Sequence, residues 1–306
     1  MNSGWWRAMC AFGMASIITA NQARGSPYAA GVVSYYQGEV ATGFNDPNVA
    51  LGAPERFTGE GSPYASVVSP FSAPYLTTEI VQITAGGHLT LGFDTPITDD
   101  PDHLYGTDFI IFGNGMFADD AWPSGVVGDP ASMFGVDPLT IEVSQDGANF
   151  VTLGTTHQEG FFPAMGYLDG GPYDQQPGSM ISDYFRPVDP ALHLEDFAGL
   201  TLSQIRTLYD GSGGGTPIDL ADSGLSWASH VRISVPYGAG YDVEIDAVSV
   251  VPEPACWLLL GVPLLAAFRR TQMKRSALFL TLLVGMAASP AVRAGEWLTI
   301  AGDFAH

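Results

Sequence analysis

The chain has 306 residues, 46% of them hydrophobic and only 14% charged, with a formal net charge of −21. The charge is unevenly placed: residues 26–250 hold 29 Asp plus Glu against four arginines (Arg56, Arg186, Arg206, Arg232) and no lysine. Such a surface repels phosphate backbones and anionic lipid headgroups, so no nucleic acid is expected as a partner, while divalent cations and neutral, hydroxyl-rich polymers fit it.

Met1–Gly25 has the make-up of a secretory signal peptide: Arg7 as the positive start, an apolar stretch over Ala8–Ala20, and small residues at Ala23-Arg24-Gly25. Cleavage after Ala20 or after Ala23 fits equally. The two cysteines are Cys10, in this segment, and Cys256, in the tail. The body between them therefore has no disulfide, no thiolate nucleophile and no Cys-ligated metal. Its length, about 225 residues, suffices for one large β domain with a substantial core.

Within the body the recurring pattern is that of strands. Alternation or β-branched and aromatic enrichment predicts them over Val32–Gln37, Thr77–Thr84, His88–Phe93, Asp108–Phe112, Leu139–Ser144, Phe150–Gly154, His230–Val235 and Val243–Val251. Leu139–Ser144 and Phe150–Gly154 form the clearest unit, a hairpin whose Asp146-Gly147 suits a turn with positive φ. Leu200–Tyr209 fits a short helix or a strand, and Ala191–Phe197 one helical turn. Two long connections, Gly113–Asp137 and Gly160–Pro190, are rich in Gly, Pro, Asp and aromatics. Connections of that length either form a binding rim or cap the core with their aromatics. Taken together the elements predict an all-β fold, an antiparallel jelly-roll β-sandwich, flanked by an N-terminal signal helix and C-terminal hydrophobic helical segments.

Asp242, Glu244 and Asp246 alternate along the last strand, which places them on one face with Val243, Ile245 and Ala247 on the other. Like charges ~7 Å apart repel, and a bound Ca²⁺ relieves that; a solvated acidic face is the alternative. Phe44-Asn45-Asp46-Pro47-Asn48 offers further oxygens. Asp99-Asp100-Pro101-Asp102 lacks the Gly and terminal Glu of an EF-hand loop and reads as a solvated turn. Catalytic motifs are missing: neither Gly-x-Ser-x-Gly nor His-Glu-x-x-His occurs, and Gly211-Ser-Gly-Gly-Gly215 has no following Lys and reads as a flexible loop. Carboxylate pairs such as Asp119-Asp120 arise easily in so acidic a chain.

A series of short motifs carries a resemblance: Leu51-Gly-Ala-Pro54, Gly87-His-Leu-Thr-Leu-Gly-Phe93, Asp108-Phe-Ile-Ile-Phe-Gly-Asn-Gly115, Ile141-Glu-Val-Ser-Gln-Asp-Gly147, Pro217-Ile-Asp-Leu-Ala221, His230-Val-Arg-Ile233 and Ile245-Asp-Ala-Val248. In order and spacing they resemble a family of bacterial cell-surface ectodomains similar to galactose-binding-like (discoidin-like) jelly rolls. That resemblance implies a Ca²⁺ between an early loop and the last strand, here Asn45, Asp46 and Asn48 with Asp242, Glu244 and Asp246.

The tail, Val251–Arg270, reads in three parts: Pro252-Glu253-Pro254, an apolar run over Cys256–Phe268, and the basic pair Arg269-Arg270. The prolines make the tripeptide extended and accessible, the run is short against the ~20 residues of a full span, and the arginines hold its end on the cytoplasmic side. The stretch over 251–272 resembles the PEP-CTERM sorting signal, which implies recognition of Pro252, Glu253 and Pro254 by a membrane-embedded exosortase and removal of the tail. Residues 273–306 read as a second signal peptide, Met273-Lys-Arg followed by an apolar core and Ala291-Val-Arg-Ala294. Either a neighbouring reading frame is joined here, or two membrane segments form a hairpin.

The expectation is thus an exported protein of four parts: a signal peptide (1–25), a β-sandwich (26–250), a sorting signal (251–272) and a second signal-like segment (273–306). It is anchored transiently in the inner membrane through its C-terminal segment, processed by exosortase, and delivered to the envelope surface or extracellular matrix. Its role there is non-catalytic, structural or carbohydrate-binding, with exopolysaccharide or another glycan as partner and Ca²⁺ as cofactor. A surface carbohydrate-active hydrolase is the alternative.

Overall fold

The run Phe109-Ile110-Ile111-Phe112 lacks polar alternation, and an unbroken apolar run of that length suits a strand covered on both faces. All of its residues are buried, and the architecture follows from how the chain covers the two sides. The structure, a computed structural model, describes residues 25–153, 157–158 and 160–253. The chain divides into two units, Met1–Pro254 and Ala255–His306, and every described residue belongs to the first. The expected signal helix and C-terminal helical segments lie outside the described residues, as do Pro254, Arg269 and Arg270.

In chain order the strands are β1 (Gly31–Tyr36), β2 (Phe57–Thr58), β3 (Ser66–Val67), β4 (Val81–Ile83), β5 (His88–Thr98), β6 (Phe109–Gly113), β7 (Met116–Phe117) and β8 (Met133–Phe134). They continue with β9 (Pro138–Ser144), β10 (Val151–Thr152), β11 (His157–Gln158), β12 (Thr216–Ile218), β13 (Trp227–Ser234) and β14 (Val243–Val250). One α-helix, α1 (Leu202–Tyr209), is present among the described residues. One sheet runs β1-β5-β13-β9-β10 with β11 also on β9; the other runs β12-β6-β14-β4. Every pairing in both is antiparallel.

The inner faces of the two sheets make one core. Leu89, Leu91 and Ile97 of β5, Ile141 and Val143 of β9, and Val231 and Ile233 of β13 meet Phe109 and Ile111 of β6 and Val243, Ile245 and Val248 of β14. The outward residues of β6, Ile110 and Phe112, pack with Val68, Ala164, Tyr184 and Val251. A third cluster gathers Phe71, Phe117, Val127, Phe162, Met165, Val188, Phe197, Leu202, Ile205 and Tyr209. The long connections therefore form a layer over the outside of the β6 sheet. Of their aromatics Phe117, Phe162 and Tyr184 are buried, Phe161 and Tyr173 pack half-buried against them, and Trp122 and Phe134 remain exposed.

Each expected strand appears, with ends set by local chemistry. The stretch predicted over Thr77–Thr84 is a strand only at Val81–Ile83, because the Glu79 and Ile80 amides turn back to the Leu76 carbonyl. The expected hairpin forms, with Val143 opposite Val151, and Gly147 sits at φ +71. Leu202–Tyr209 resolves as a helix, started by Gln204 Oε1 accepting from Thr201 N at 2.9 Å and burying Leu202, Ile205 and Tyr209. No helix among the described residues is long and apolar enough to cross a membrane.

The glycine run at 211–215 is not the flexible loop its composition suggests. A Cβ on Gly213 would lie 2.1 Å from the Tyr184 ring, and one on Gly215, at φ +86, would lie 2.4 Å from Ile110 Cγ2. The glycines let this backbone press onto the outer face of β6, where any side chain would displace the packing. Gly215→Ala is expected to destabilise the fold by ~2 kcal/mol or more. A urea midpoint lowered accordingly, with an unchanged m-value, is the measurement that checks it.

Candidate functional site

The outer layer carries an open cleft of about 470 Å³, lined from five stretches of chain: residues 63–66, 71–75, 114 and 116, 122–123, and 173 and 175. One wall is the β2–β3 hairpin and the turn after it. Glu79 fixes that wall: its buried carboxylate accepts from Thr58 Oγ1 (2.6 Å), Gly59 N (2.9 Å), Tyr75 N (3.0 Å) and Leu76 N (3.1 Å). A buried carboxylate without such donors would cost several kcal/mol, so the four bonds hold one geometry. Tyr75 is thereby placed with its hydroxyl 2.5 Å from Ser62 Oγ, and Tyr64 stands at the hairpin tip, 79% exposed.

The opposite wall depends on Asp119. Its carboxylate accepts from the amides of Ala121, Gly125 and Val126, each at 3.0 Å, and from Tyr173 Oη at 3.0 Å. Partial burial opposes ionisation of Asp119, but the bonds from Val126, Gly125, Ala121 and Tyr173 outweigh it and lower the pKa. Burial first, and the adjacent Asp119 second, raise the Tyr173 phenol. Trp122, 75% exposed, stands over Tyr173 with ring centroids 6.5 Å apart and planes at 57°. Asp119 is therefore a loop anchor: its depressed pKa is opposite in sign to what a general acid near neutral pH requires.

The lining contains no charged side chain. Tyr64, Tyr75, Trp122 and Tyr173 supply aromatic surface; Ser66, Ser72, Asn114 and Gln175 supply hydroxyl and amide groups. In so acidic a body an uncharged, aromatic-walled cleft selects for a ligand that pairs apolar faces with hydroxyls. Sequence reading placed Trp122 and Tyr173 in the long connections, but Tyr64, Tyr75 and Glu79 were missed. Their only signal is a Gly-, Ser- and Pro-rich stretch too irregular to read.

The residues expected to hold calcium are arranged otherwise than on one carboxylate face. A register shift between Ile245 and Ala247 puts Asp246 out of step, and it is 1% exposed, with both oxygens accepting from Glu55 N (3.3 and 3.0 Å). Burial, the larger influence, pushes its pKa well up against that hydrogen bond. Asp242 and Glu244 both accept from Gln82 Nε2, at 3.1 and 2.5 Å. The turn Pro47–Ala50 packs beside β14. Within it Asp46 accepts from Asn48 N (3.0 Å) and Asn48 Nδ2 (2.8 Å), while Asn45 is exposed. Those two bonds lower the Asp46 pKa. Among the described residues, Asp46, Asp242, Glu244 and Asp246 do not join any group of three acidic or histidine ligands within 4.8 Å of one another. Of the expected sorting residues, Pro252 and Glu253 are exposed, and the Glu253 carboxylate accepts from Thr98 Oγ1.

No protein-family model matches the chain, and no curated protein matches it. Among solved structures it is similar to a pectin-binding carbohydrate-binding module, at 10% identity and a TM-score of 0.22 over 57% of this chain and 73% of that one. The module CpGH89CBM32-5 of Clostridium perfringens, in complex with GalNAc-β-1,3-galactose, gives 10% identity and a TM-score of 0.27 over 74% and 96%. CBM32-1 of a family 31 glycoside hydrolase from Clostridium perfringens gives 10% and 0.23 over 71% and 90%. At these scores the likeness carries no argument; the sandwich rests on its strand pairings and the cleft on its own residues.

The Asp119 anchor has a signed pH dependence. Its folded pKa is depressed, so its contribution is present above the ordinary carboxylate range and is lost as pH falls through the folded value. The stability gap between wild type and Asp119→Asn should be widest near neutrality and close as pH falls from the ordinary carboxylate range through the lowered folded value. Urea titrations of both proteins across that range would show it.

Proposed function

We propose that the protein is an exported, non-catalytic surface or matrix component that binds a neutral glycan in the aromatic cleft. The observation that carries the reading is the pairing of exposed Trp122 and Tyr64 with an uncharged hydroxyl- and amide-bearing lining, in a body dense in carboxylates. Sugar rings present C–H faces that stack on indole and phenol, and hydroxyls that suit Ser, Asn and Gln. Export and surface sorting rest on the sequence at the two ends. Met1–Gly25 supplies the signal peptide; Pro252-Glu253-Pro254, the apolar run and Arg269-Arg270 supply the exosortase signal. Calcium belongs to this reading through Asn45, Asp46, Asn48 and the Asp242–Glu244 pair.

Two experiments test it. On a glycan array run with and without EGTA, wild type is expected to bind neutral glycans without turning them over. Trp122→Ala and Tyr64→Ala should each weaken binding about tenfold, matching ~1–2 kcal/mol for a lost aromatic platform, with unchanged melting. Full binding by the double variant would remove the cleft from the reading, hydrolysis would make the protein an enzyme, and indifference to EGTA would remove calcium. Mass spectrometry of the mature protein is expected to find a C-terminus near Pro254. A mature chain that still contains Arg269-Arg270 would contradict sorting by exosortase.

A further inference from the structure

The turn after β5 folds over a buried histidine that the proposed function does not use. His103 N bonds the Asp100 carbonyl at 3.0 Å and Asp100 N bonds Asp108 Oδ1 at 3.2 Å, closing residues 100–108 on themselves. Asp108 is fully buried; its Oδ2 accepts from Leu220 N at 2.8 Å and its Oδ1 meets His103 Nδ1 at 2.8 Å. That contact fixes the imidazole and leaves Nε2 as the free nitrogen. The His103 side chain is 1% exposed, and Nε2 is buried with no hydrogen-bond partner. Glu253 Oε2 lies 4.0 Å from Nε2, and one ligand atom from each of Asp100, His103 and Glu253 lies within 4.8 Å of the others.

An unpaired buried nitrogen beside two carboxylates is costly unless something cationic joins them. No arginine of residues 26–250 does so. Arg56 reaches Gly166 and Ser182, Arg186 pairs with Asp210, Arg206 bonds Gly170, and Arg232 lies 3.6 Å from Glu142. Asp99 and Asp219 also converge on Asp108, which adds negative charge to the neighbourhood.

We propose that Asp100, His103 Nε2 and Glu253 bind a divalent transition-metal ion of the zinc class, with Asp108 orienting the imidazole through Nδ1. The donor set decides the class: an imidazole nitrogen with two carboxylates suits zinc, whereas calcium takes oxygens. Carboxylate–histidine–metal relays of this kind fix the tautomer and raise the basicity of the coordinating nitrogen. Metal–ligand bonds of about 2.1 Å would draw the ligand atoms to ~3.4 Å apart, a small movement for the exposed Glu253. Occupancy would fasten the segment leaving β14 onto the β5 turn. The site stands on its own geometry, independently of glycan binding, and shares Glu253 with the sorting tripeptide.

The test uses the full-length chain in detergent, stripped by chelator and titrated with Co²⁺ as a spectroscopic probe, then with Zn²⁺. One Co²⁺ per chain is expected, with ligand-field absorption bands displaced by one equivalent of Zn²⁺. Glu253→Gln and Asp100→Asn should each weaken binding at least tenfold while the metal-free melting temperature stays at the wild-type value, and His103→Gln should abolish the bands. Absence of bands in the wild type would overturn the proposal. So would bands of equal strength in Glu253→Gln and Asp100→Asn, which would place the ion at another histidine. Because Glu253 is exposed, that variant remains informative even if His103→Gln fails to fold.

Discussion

A shortage of cations governs this fold. With 29 carboxylates and four arginines between residues 26 and 250, ion pairs cannot neutralise the acids that the chain buries or half-buries. Backbone amides do it instead. Glu79 takes two hydroxyl- or hairpin-side donors and two from the Tyr75 turn, Asp119 takes three amides, and Asp108 is held by Leu220 and Asp100. Asp169 likewise accepts from Ser179 and Met180, the serine hydroxyl first among the bonds that bring its pKa down to about 2. Charge-assisted bonds of this kind are roughly twice as strong as neutral ones, and each pins a loop to one conformation. Acidity here is a device for ordering long connections as well as a surface property.

The consequence for function is indirect. The carboxylates that hold the loop backbone are not among the residues lining the cleft, so the two walls are positioned by charge while the surface between them carries none. The same layer buries the outer face of β6 through Ile110, Phe112 and Tyr184, and the phenol of Tyr184 donates to the Glu55 carbonyl at 2.6 Å. Cleft and sheet are thus one packed body, with the exposed aromatics standing on a rigid base. Arg56, stacked 4.0 Å over the Tyr184 ring, adds a cation where the layer meets the buried Asp246 region.

The sandwich was legible because its strands carry period-two or unbroken apolar patterns, and each pattern reports burial directly. The hairpin at Asp146-Gly147 followed from turn chemistry, whereas Leu200–Tyr209 was open between helix and strand until the Thr201–Gln204 cap and the buried face of Leu202, Ile205 and Tyr209 decided it. What escaped was whatever depends on residues far apart in the chain. The cleft draws on five separate segments, and Glu79 looks like any strand-edge acid until its four donors are in place. Asp246 misled for a different reason: one extra residue in the ladder reverses a side chain's face, and alternation cannot show a bulge. His103 was hidden because a lone histidine after an acidic turn has no motif of its own.

The central claim is that charge builds the cleft without entering it. Calorimetric titration of a neutral oligosaccharide that the protein binds, at low and at high salt, tests this most directly. The account predicts the same affinity at both ionic strengths, since no charged group touches the ligand. A steep loss of affinity with salt would contradict it, because that would mean a charged side chain makes the contact.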